Sequence, residues 1–259
     1  MYAATPAVKA AWQALFERVA AASGIALSYL DHAAPAPLDV LWARNDLGAA
    51  LMCGFPFASA TEQPWLLAAP VPSPARYAGR PRYCTDFIVR ADKPYSTLQD
   101  TFGGRIGWTV THSQSGYNAV RHHLAELDPT PQYAQWVGPL VTPRRVIDAV
   151  IEGTIDVGPL DSYFHDLLRR HDPQMASRIR AVASTAMAPI PPLVASRHVD
   201  ADTVSQLRQA LLSCHSAHDM TATLKTLLLS RFEAVDPCDY QVLISWAQDA
   251  DVRGVVVPG

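Results

Sequence analysis

Gly103-Gly-Arg-Ile-Gly-Trp-Thr-Val-Thr-His-Ser-Gln-Ser-Gly-Tyr-Asn118 is the stretch on which the reading of the fold turns. Its first half, around Ile106 and Trp108, reads as a strand ending at residues 109–111. Ser115 and Gly116 then open a helix whose apolar side is Val120, Leu124 and Leu127, the recurrence at three and four that marks a helix face. A strand handing over to a helix through a short loop is the building unit of an α/β protein. Such a junction points free backbone N–H groups and the positive end of a helix dipole at one spot, and the Ser and Thr hydroxyls add further donors. The same letters also fit a plain helix cap, with Ser115 as the capping residue and Ser113 in a solvated loop. Spacing alone leaves both readings open.

The pattern continues on either side. Residues 144–152 read as a helix with Val146, Ile147, Val150 and Ile151 on one side and Gly153 as its stop; residues 155–160 read as a buried strand, and a helix over 162–170 begins directly behind it. Toward the N-terminus, residues 6–23 place Val8, Trp12, Leu15, Phe16, Val19 and Ala20 at helical spacing, with Gly24 as the cap. Strands are expected over 25–30, 40–42, 46–53, 65–69 and 83–89, with turns at the Pro-rich run 33–37 and at Gly54 and Pro56, and a short helix over 95–100. The segment 188–195 is extended and Pro-rich, and helices follow over 203–213 and 220–230. Two extended segments therefore bracket a central block. The expected architecture is a two-lobed α/β fold: a discontinuous first lobe, 1–88 with 191–259, and an inserted second lobe, 89–190. The ligand is then expected in the cleft, where strand ends and helix starts converge.

Composition narrows the function. The 259 residues are 49% hydrophobic and 17% charged, with 21 Lys+Arg against 24 Asp+Glu, a net charge of −3. That is enough chain to bury a core without disulfides, and it carries no electrostatic footprint for nucleic acid. No apolar stretch approaches the roughly 20 residues of a membrane span. The opening Met1-Tyr-Ala-Ala-Thr-Pro has no basic region followed by an apolar one, so on this reading the chain is cytoplasmic or its export signal lies upstream. Cys53, Cys84, Cys214 and Cys238 show no metal-binding spacing and are expected as free, mostly buried thiols. The signatures G-x-S-x-G, G-x-x-x-x-G-K-[ST], H-E-x-x-H and G-x-G-x-x-G are all missing. Cys214, His215, His218 and Asp219 read as a polar helix end rather than a metal site, and His122 and His123 as a solvated pair. No catalytic residue, metal or cofactor is expected.

Thr109-x-x-x-Ser-x-Ser-Gly-Tyr-Asn-x-x-Arg, preceded by Arg80-Pro-Arg-Tyr-Cys-Thr-Asp-Phe-Ile-Val-Arg and by the strand Gly104-Arg-Ile-Gly-Trp, resembles the PhnD-like family of phosphate, phosphite and phosphonate-binding components of ABC importers. Cys53-Gly-Phe-Pro-Phe looks like that family's first-lobe ligand loop, Gly153-Thr-Ile-Asp-Val-Gly-Pro-Leu-Asp-Ser-Tyr like its second-lobe strand and acidic turn, and residues 189–193 like its return crossing. The resemblance implies a type II periplasmic-binding fold that bends near Val89 and Pro191, a periplasmic location, and an ABC permease as partner. It implies that Ser113, Gln114, Ser115 and Gly116 hold the oxyanion. Tyr117 and Tyr163 would line the same wall, and Asp161 would face an amino group on the ligand or cap the helix behind it. Phe55 or Phe57 and, by a weaker match, Tyr2 would come from the first lobe. One departure is the stretch Leu140-Val-Thr-Pro-Arg-Arg, where family members commonly carry a His; Thr142 or Arg144 is its replacement, or the contact is lost. The rival readings are a cytoplasmic ligand sensor on the same fold, and an enzyme using Ser113 or Cys53 as nucleophile with His112 as base.

Overall fold

The computed structural model describes residues 1–32, 34–127 and 132–255. The chain divides into two compact units: Met1–Arg82 with Pro189–Tyr240, and Tyr83–Ala188 with the residues from Gln241 onward. The expected lobes changed over at 88/89 and 190/191 and placed the whole C-terminus in the first. The helix Gln241–Val252 instead belongs to the second unit, where Ala250 is buried in one apolar cluster with Val120 and Leu124. Its own pattern, with Leu243, Ala247 and Ala250 buried, says that one face is covered but not by which core.

The first unit starts with the helix Pro6–Ser23. Thr5 caps it, Pro6 sits at its first position where the missing N–H costs nothing, and Gly24 ends it at φ 71°. Val8, Trp12, Leu15 and Val19 form its buried stripe, as their spacing predicts. The sheet is four-stranded and antiparallel in the order Ala50–Leu51, Leu193–Ala195, Trp65–Pro72, Leu229–Glu233. Trp65–Pro72 is central and buried from Leu66 onward, which is why it reads as an unbroken apolar run. Several expectations fail here. Residues 25–30 are not a strand, and 40–42 lie in the short helix Leu38–Trp42, where Val40 is 62% exposed. A β-branched residue favours a strand only where a sheet face receives it. Gly54 and Pro56 do not end a strand in a turn; they open the helix Gly54–Ser59, whose first turn tolerates proline. The expected helix over 220–230 is the helix Thr221–Thr226 followed by the strand Leu229–Glu233, and Leu228, at φ 52°, makes the corner. Residue 33 of the Pro-rich turn lies outside the described residues.

In the second unit Thr85–Arg90 lies between Gly158–Asp161 and Ile179–Ser184, antiparallel to both. Arg105–Gly107 runs parallel to Gln135–Val137, and Ile106 bridges in parallel to Val157. Phe87, Val89, Ile106, Val120, Leu124 and Val157 are fully enclosed and form the core, with Leu127 half-buried at its edge. The helix over 144–152 is found as Pro143–Glu152, capped by Thr142 and ended by Gly153 at φ 76°; that over 162–170 is found as Ser162–His171. The expected helix at 95–100 is a single 3-10 turn, Gln99–Thr101, because the Asp100 carboxylate accepts from the Ser96 and Thr97 N–H groups and folds the chain as a turn instead. Among the described residues no helix is long and apolar enough to cross a membrane.

Candidate functional site

Three strands of the second unit run in one direction and each leads into a helix start. Arg105–Gly107 leads to the helical run that opens at Gln114, Gln135–Val137 to Pro143, and the segment from Val157 through Asp161 to Ser162. The carboxyl ends of parallel strands are where α/β sheets gather their ligand groups. Thr109 links the first two junctions: its N–H donates to the Gly116 carbonyl at 3.1 Å and its carbonyl accepts from the Val141 N–H at 3.3 Å. Thr85 links the first to the third. Its hydroxyl donates to the Ser115 carbonyl at 2.9 Å, and in the ladder it stands opposite Asp161. The positive ends of three helix dipoles thus belong to one neighbourhood.

The capping residue of the first junction is Ser113, not Ser115. Its Oγ accepts from the Gly116 N–H at 3.0 Å, which leaves the hydroxyl proton available to a ligand. The helix begins as one π turn, Gln114–Asn118, in which the Asn118 N–H reaches back to the Ser113 carbonyl at 3.0 Å; such wide turns recur at functional sites. Ser115 is half-buried, and its hydroxyl takes no protein partner among the described residues. Gly116 has no substitute, since a Cβ there would lie 1.9 Å from Thr109 Oγ1. That Thr109 hydroxyl is itself enclosed without a hydrogen-bond partner among the described residues. Gln114 is fully enclosed. Tyr117 is half-buried, set between Trp108 at 5.6 Å and the Arg121 guanidinium at 5.1 Å.

At the third junction Asp161 caps its helix: Oδ1 accepts from the Tyr163 N–H at 2.9 Å and the Phe164 N–H at 3.0 Å. Tyr163 is fully enclosed, and burial, followed by the Asp161 charge, pushes its phenol well above the ordinary range. One turn further on, His165 Nδ1 meets Asp86 Oδ2 at 2.8 Å, and Ser184 donates to the other Asp86 oxygen at 2.7 Å. This buried cluster pins the Asp161 helix to the Thr85 strand. At the second junction Thr142 accepts from the Arg145 N–H at 3.2 Å, and Arg144 turns along its own helix to Asp148 at 3.0 Å. Val141, a β-branched residue at φ 65°, holds the strained corner before it.

Ser113, Gln114, Ser115, Gly116, Tyr117 and Asp161 therefore belong to one neighbourhood of the second unit. Phe55 and Tyr2 belong to the first, where Phe55 is half-buried and Tyr2 is 3% exposed; Phe57 packs edge-on against Tyr240 with ring centroids 5.0 Å apart. The sequence reading missed Thr85 and Asn118, whose roles depend on partners distant in the chain or on a turn type that no spacing rule marks. His122 and His123 are not a solvated pair. His122 stacks on Trp246 at 4.8 Å, and His123 lies against Phe87 at 5.1 Å, where burial lowers its pKa. All four cysteines are free; Cys53, Cys84 and Cys214 are buried and Cys238 is exposed. Among the described residues no group of three or more His, Cys, Asp or Glu could hold a metal. A separate hollow of about 360 Å³ in the first unit is lined by Thr61, Glu62, Gln63, Trp65 and Arg197. Its only cation is already paired with Glu62 at 2.6 Å, so it offers little to an anion.

No curated protein matches the sequence. Among solved structures the chain is similar to a binding-protein component of a phosphonate ABC transporter from Pseudomonas aeruginosa, at 18% identity and TM-score 0.77 over 94% of this chain and 83% of that one. It is similar to PhnD1 from Prochlorococcus marinus in complex with methylphosphonate, at 13% identity and TM-score 0.76 over 94% and 93%. A malate-bound MatC from Rhodopseudomonas palustris follows at 16% identity and TM-score 0.58 over 95% and 94%. At these identities the likeness shows the fold, that of periplasmic binding proteins. The profile of the ABC-transporter phosphonate periplasmic substrate-binding proteins matches residues 3–240, nearly the whole length, and the chain belongs to that family.

Proposed function

We propose that the protein is the solute-binding component of an ABC importer and that it holds a small oxyanion, a phosphonate, phosphite or phosphate, at the turn 113–117. The family is one of solute-binding proteins, not enzymes, and its members are periplasmic. The observation that supports the ligand class is the Ser113–Gly116 hydrogen bond at the head of the helical run, which caps the helix start with a hydroxyl and sets Ser113 and Ser115 beside its first N–H groups. Donors of this kind form short, charge-assisted bonds to anionic oxygens. Thr85 supports the arrangement by holding the Ser115 carbonyl on the side away from the N–H groups.

Asp161 gives the site its discrimination. One carboxylate oxygen is committed to the helix cap, and the carboxylate as a whole disfavours a second anionic group while it favours an amino group on the ligand. Gln114, Gly116, Tyr117 and Tyr163 form the surrounding wall, and Tyr2 and Phe55 are further proposed contacts. The test is calorimetric titration with phosphate, phosphite, methylphosphonate and 2-aminoethylphosphonate, with an unrelated amino acid as control. One oxyanion saturates the protein, and Ser115→Ala weakens it by about tenfold, the loss of one hydrogen bond to a charged group. Absence of binding to all four oxyanions, or an unchanged affinity in Ser115→Ala, overturns the assignment.

A further inference from the structure

The family match ends at residue 240, and the helix Gln241–Val252 follows it. That helix lies on the run that opens at the proposed oxyanion turn, and the helix and the residues just after it are joined to the run by several contacts. His122 stacks on Trp246 with ring planes 10° apart, Arg253 donates to the Ala125 carbonyl at 3.2 Å, and Arg121 donates to both Asp251 and the Val255 carbonyl, the latter at 2.7 Å. Arg121 is the unusual member, since its side chain is only 5% exposed while that of Asp251 is 64% exposed. A guanidinium is buried only where its donors are satisfied, and here the C-terminal segment satisfies them.

The remaining donor points the other way along the helix. Arg121 Nη1 lies 3.5 Å from Asn118 Oδ1. Because a guanidinium only donates, the Asn118 amide must turn its oxygen to Arg121 and its NH₂ to the opposite side. There Asn118 Nδ2 donates to the Ser113 carbonyl at 3.2 Å and to the Thr111 carbonyl at 3.4 Å. The Ser113 carbonyl, which also receives the Asn118 N–H, is thus held by the same residue twice. Arg121 further lies over the ring of Tyr117, which also meets Trp108 edge-on.

We propose that Arg121 and Asn118 are positioning residues for the oxyanion turn, and that the C-terminal segment beyond residue 240 locks them through Asp251 and the Val255 carbonyl. Neither side chain touches the ligand; they fix the loop 111–113 so that Ser113 and the following N–H groups are already in place when the anion arrives. Preorganisation of this kind raises affinity by removing the ordering cost of binding. The proposal rests on the oxyanion reading for its affinity consequence, but the relay itself has a separate readout.

The test compares the full chain with Asp251→Ala, Asn118→Ala and Asp251→Glu, using hydrogen–deuterium exchange of segment 111–118 without ligand and titration with methylphosphonate and phosphate. Asp251 is mostly exposed, so its variant folds even if Asn118→Ala does not. In both alanine variants the segment exchanges faster and affinity falls about tenfold, as when supporting residues behind a binding group are removed. Asp251→Glu, which keeps a carboxylate, recovers most of both. Unchanged exchange in the segment overturns the relay, and faster exchange at unchanged affinity overturns its role in binding. If the unmutated protein binds neither anion, the oxyanion reading falls, and the exchange comparison still decides whether the C-terminal segment orders the turn.

Discussion

Asp161 accepts from two backbone N–H groups and is at the same time the proposed partner of a cationic ligand group, and two substitutions separate these roles. Asparagine caps a helix about as well as aspartate, whereas alanine at an N-cap costs about 1 kcal/mol. Asp161→Asn therefore keeps nearly the full melting temperature, while Asp161→Ala lowers it by roughly 2 to 4 °C for a chain of this length. The ligand effect runs differently. Asp161→Asn weakens 2-aminoethylphosphonate by about tenfold, one charge-assisted contact, and leaves methylphosphonate unweakened. Equal effects on both ligands would leave Asp161 a capping residue only. The capping role was legible in the sequence, because the position between a strand and a helix start is local information, whereas the ligand role came only from the family resemblance. The plain-cap alternative fell on the wrong serine: the helical run opens at Gln114 as a π turn with Ser113 as its cap, and no 3.6-residue pattern registers such a turn.

Elements with a face turned to a core were legible, and those defined by their partners were not. The helices Pro6–Ser23 and Pro143–Glu152 carry capping threonines, an N1 proline and a terminal glycine with positive φ, all readable from the letters. The strands Leu229–Glu233 and Ile179–Ser184 exist because Trp65–Pro72 and Thr85–Arg90 offer them an edge, and a strand's neighbour is not written in its own residues. The strand Arg105–Gly107, which leads into the site, is fastened in the same nonlocal way. Asp156 Oδ2 accepts from the Arg105 N–H at 2.8 Å and from Arg105 Nε at 3.1 Å. Burial raises the Asp156 carboxyl, but the Arg105 hydrogen bonds and charge outweigh it and hold the pKa below the usual carboxylate value. A carboxyl whose folded pKa is depressed stabilises the protein above its unfolded value, about 3.9, and that contribution disappears as pH falls through the lower folded value. The melting temperature of Asp156→Asn thus lies below that of the unmutated protein at pH 6, and the gap narrows progressively below about pH 4. A gap constant down to pH 3 would show that the pair contributes packing rather than charge.

On the scale of the whole molecule, the chain's three passages between units mean that two cores are made from interleaved stretches of one sequence. The extended segments 83–89 and 188–195 stand beside the first two passages, whereas the third, at residue 240, depends on which apolar face receives Ala250. This organisation makes calorimetry informative about the ligand. A solute that binds only the folded state adds about 2.7 kcal/mol at a hundred times its Kd, which is roughly 5 to 10 °C for a chain of this size melting as one. Units with separate cores can also melt in separate transitions. The residues at the proposed turn, with Asp161, lie in the second unit, whereas Tyr2 and Phe55 lie in the first. If residues of both take part, saturating methylphosphonate or phosphate raises every transition in the scan, and Phe55→Ala reduces the shift. If only one of two transitions moves and Phe55→Ala leaves it unchanged, Tyr2 and Phe55 drop out of the site and the turn 113–117 holds the anion alone. A scan in which no oxyanion moves any transition removes the turn as well, since a ligand confined to the folded state cannot bind without stabilising it.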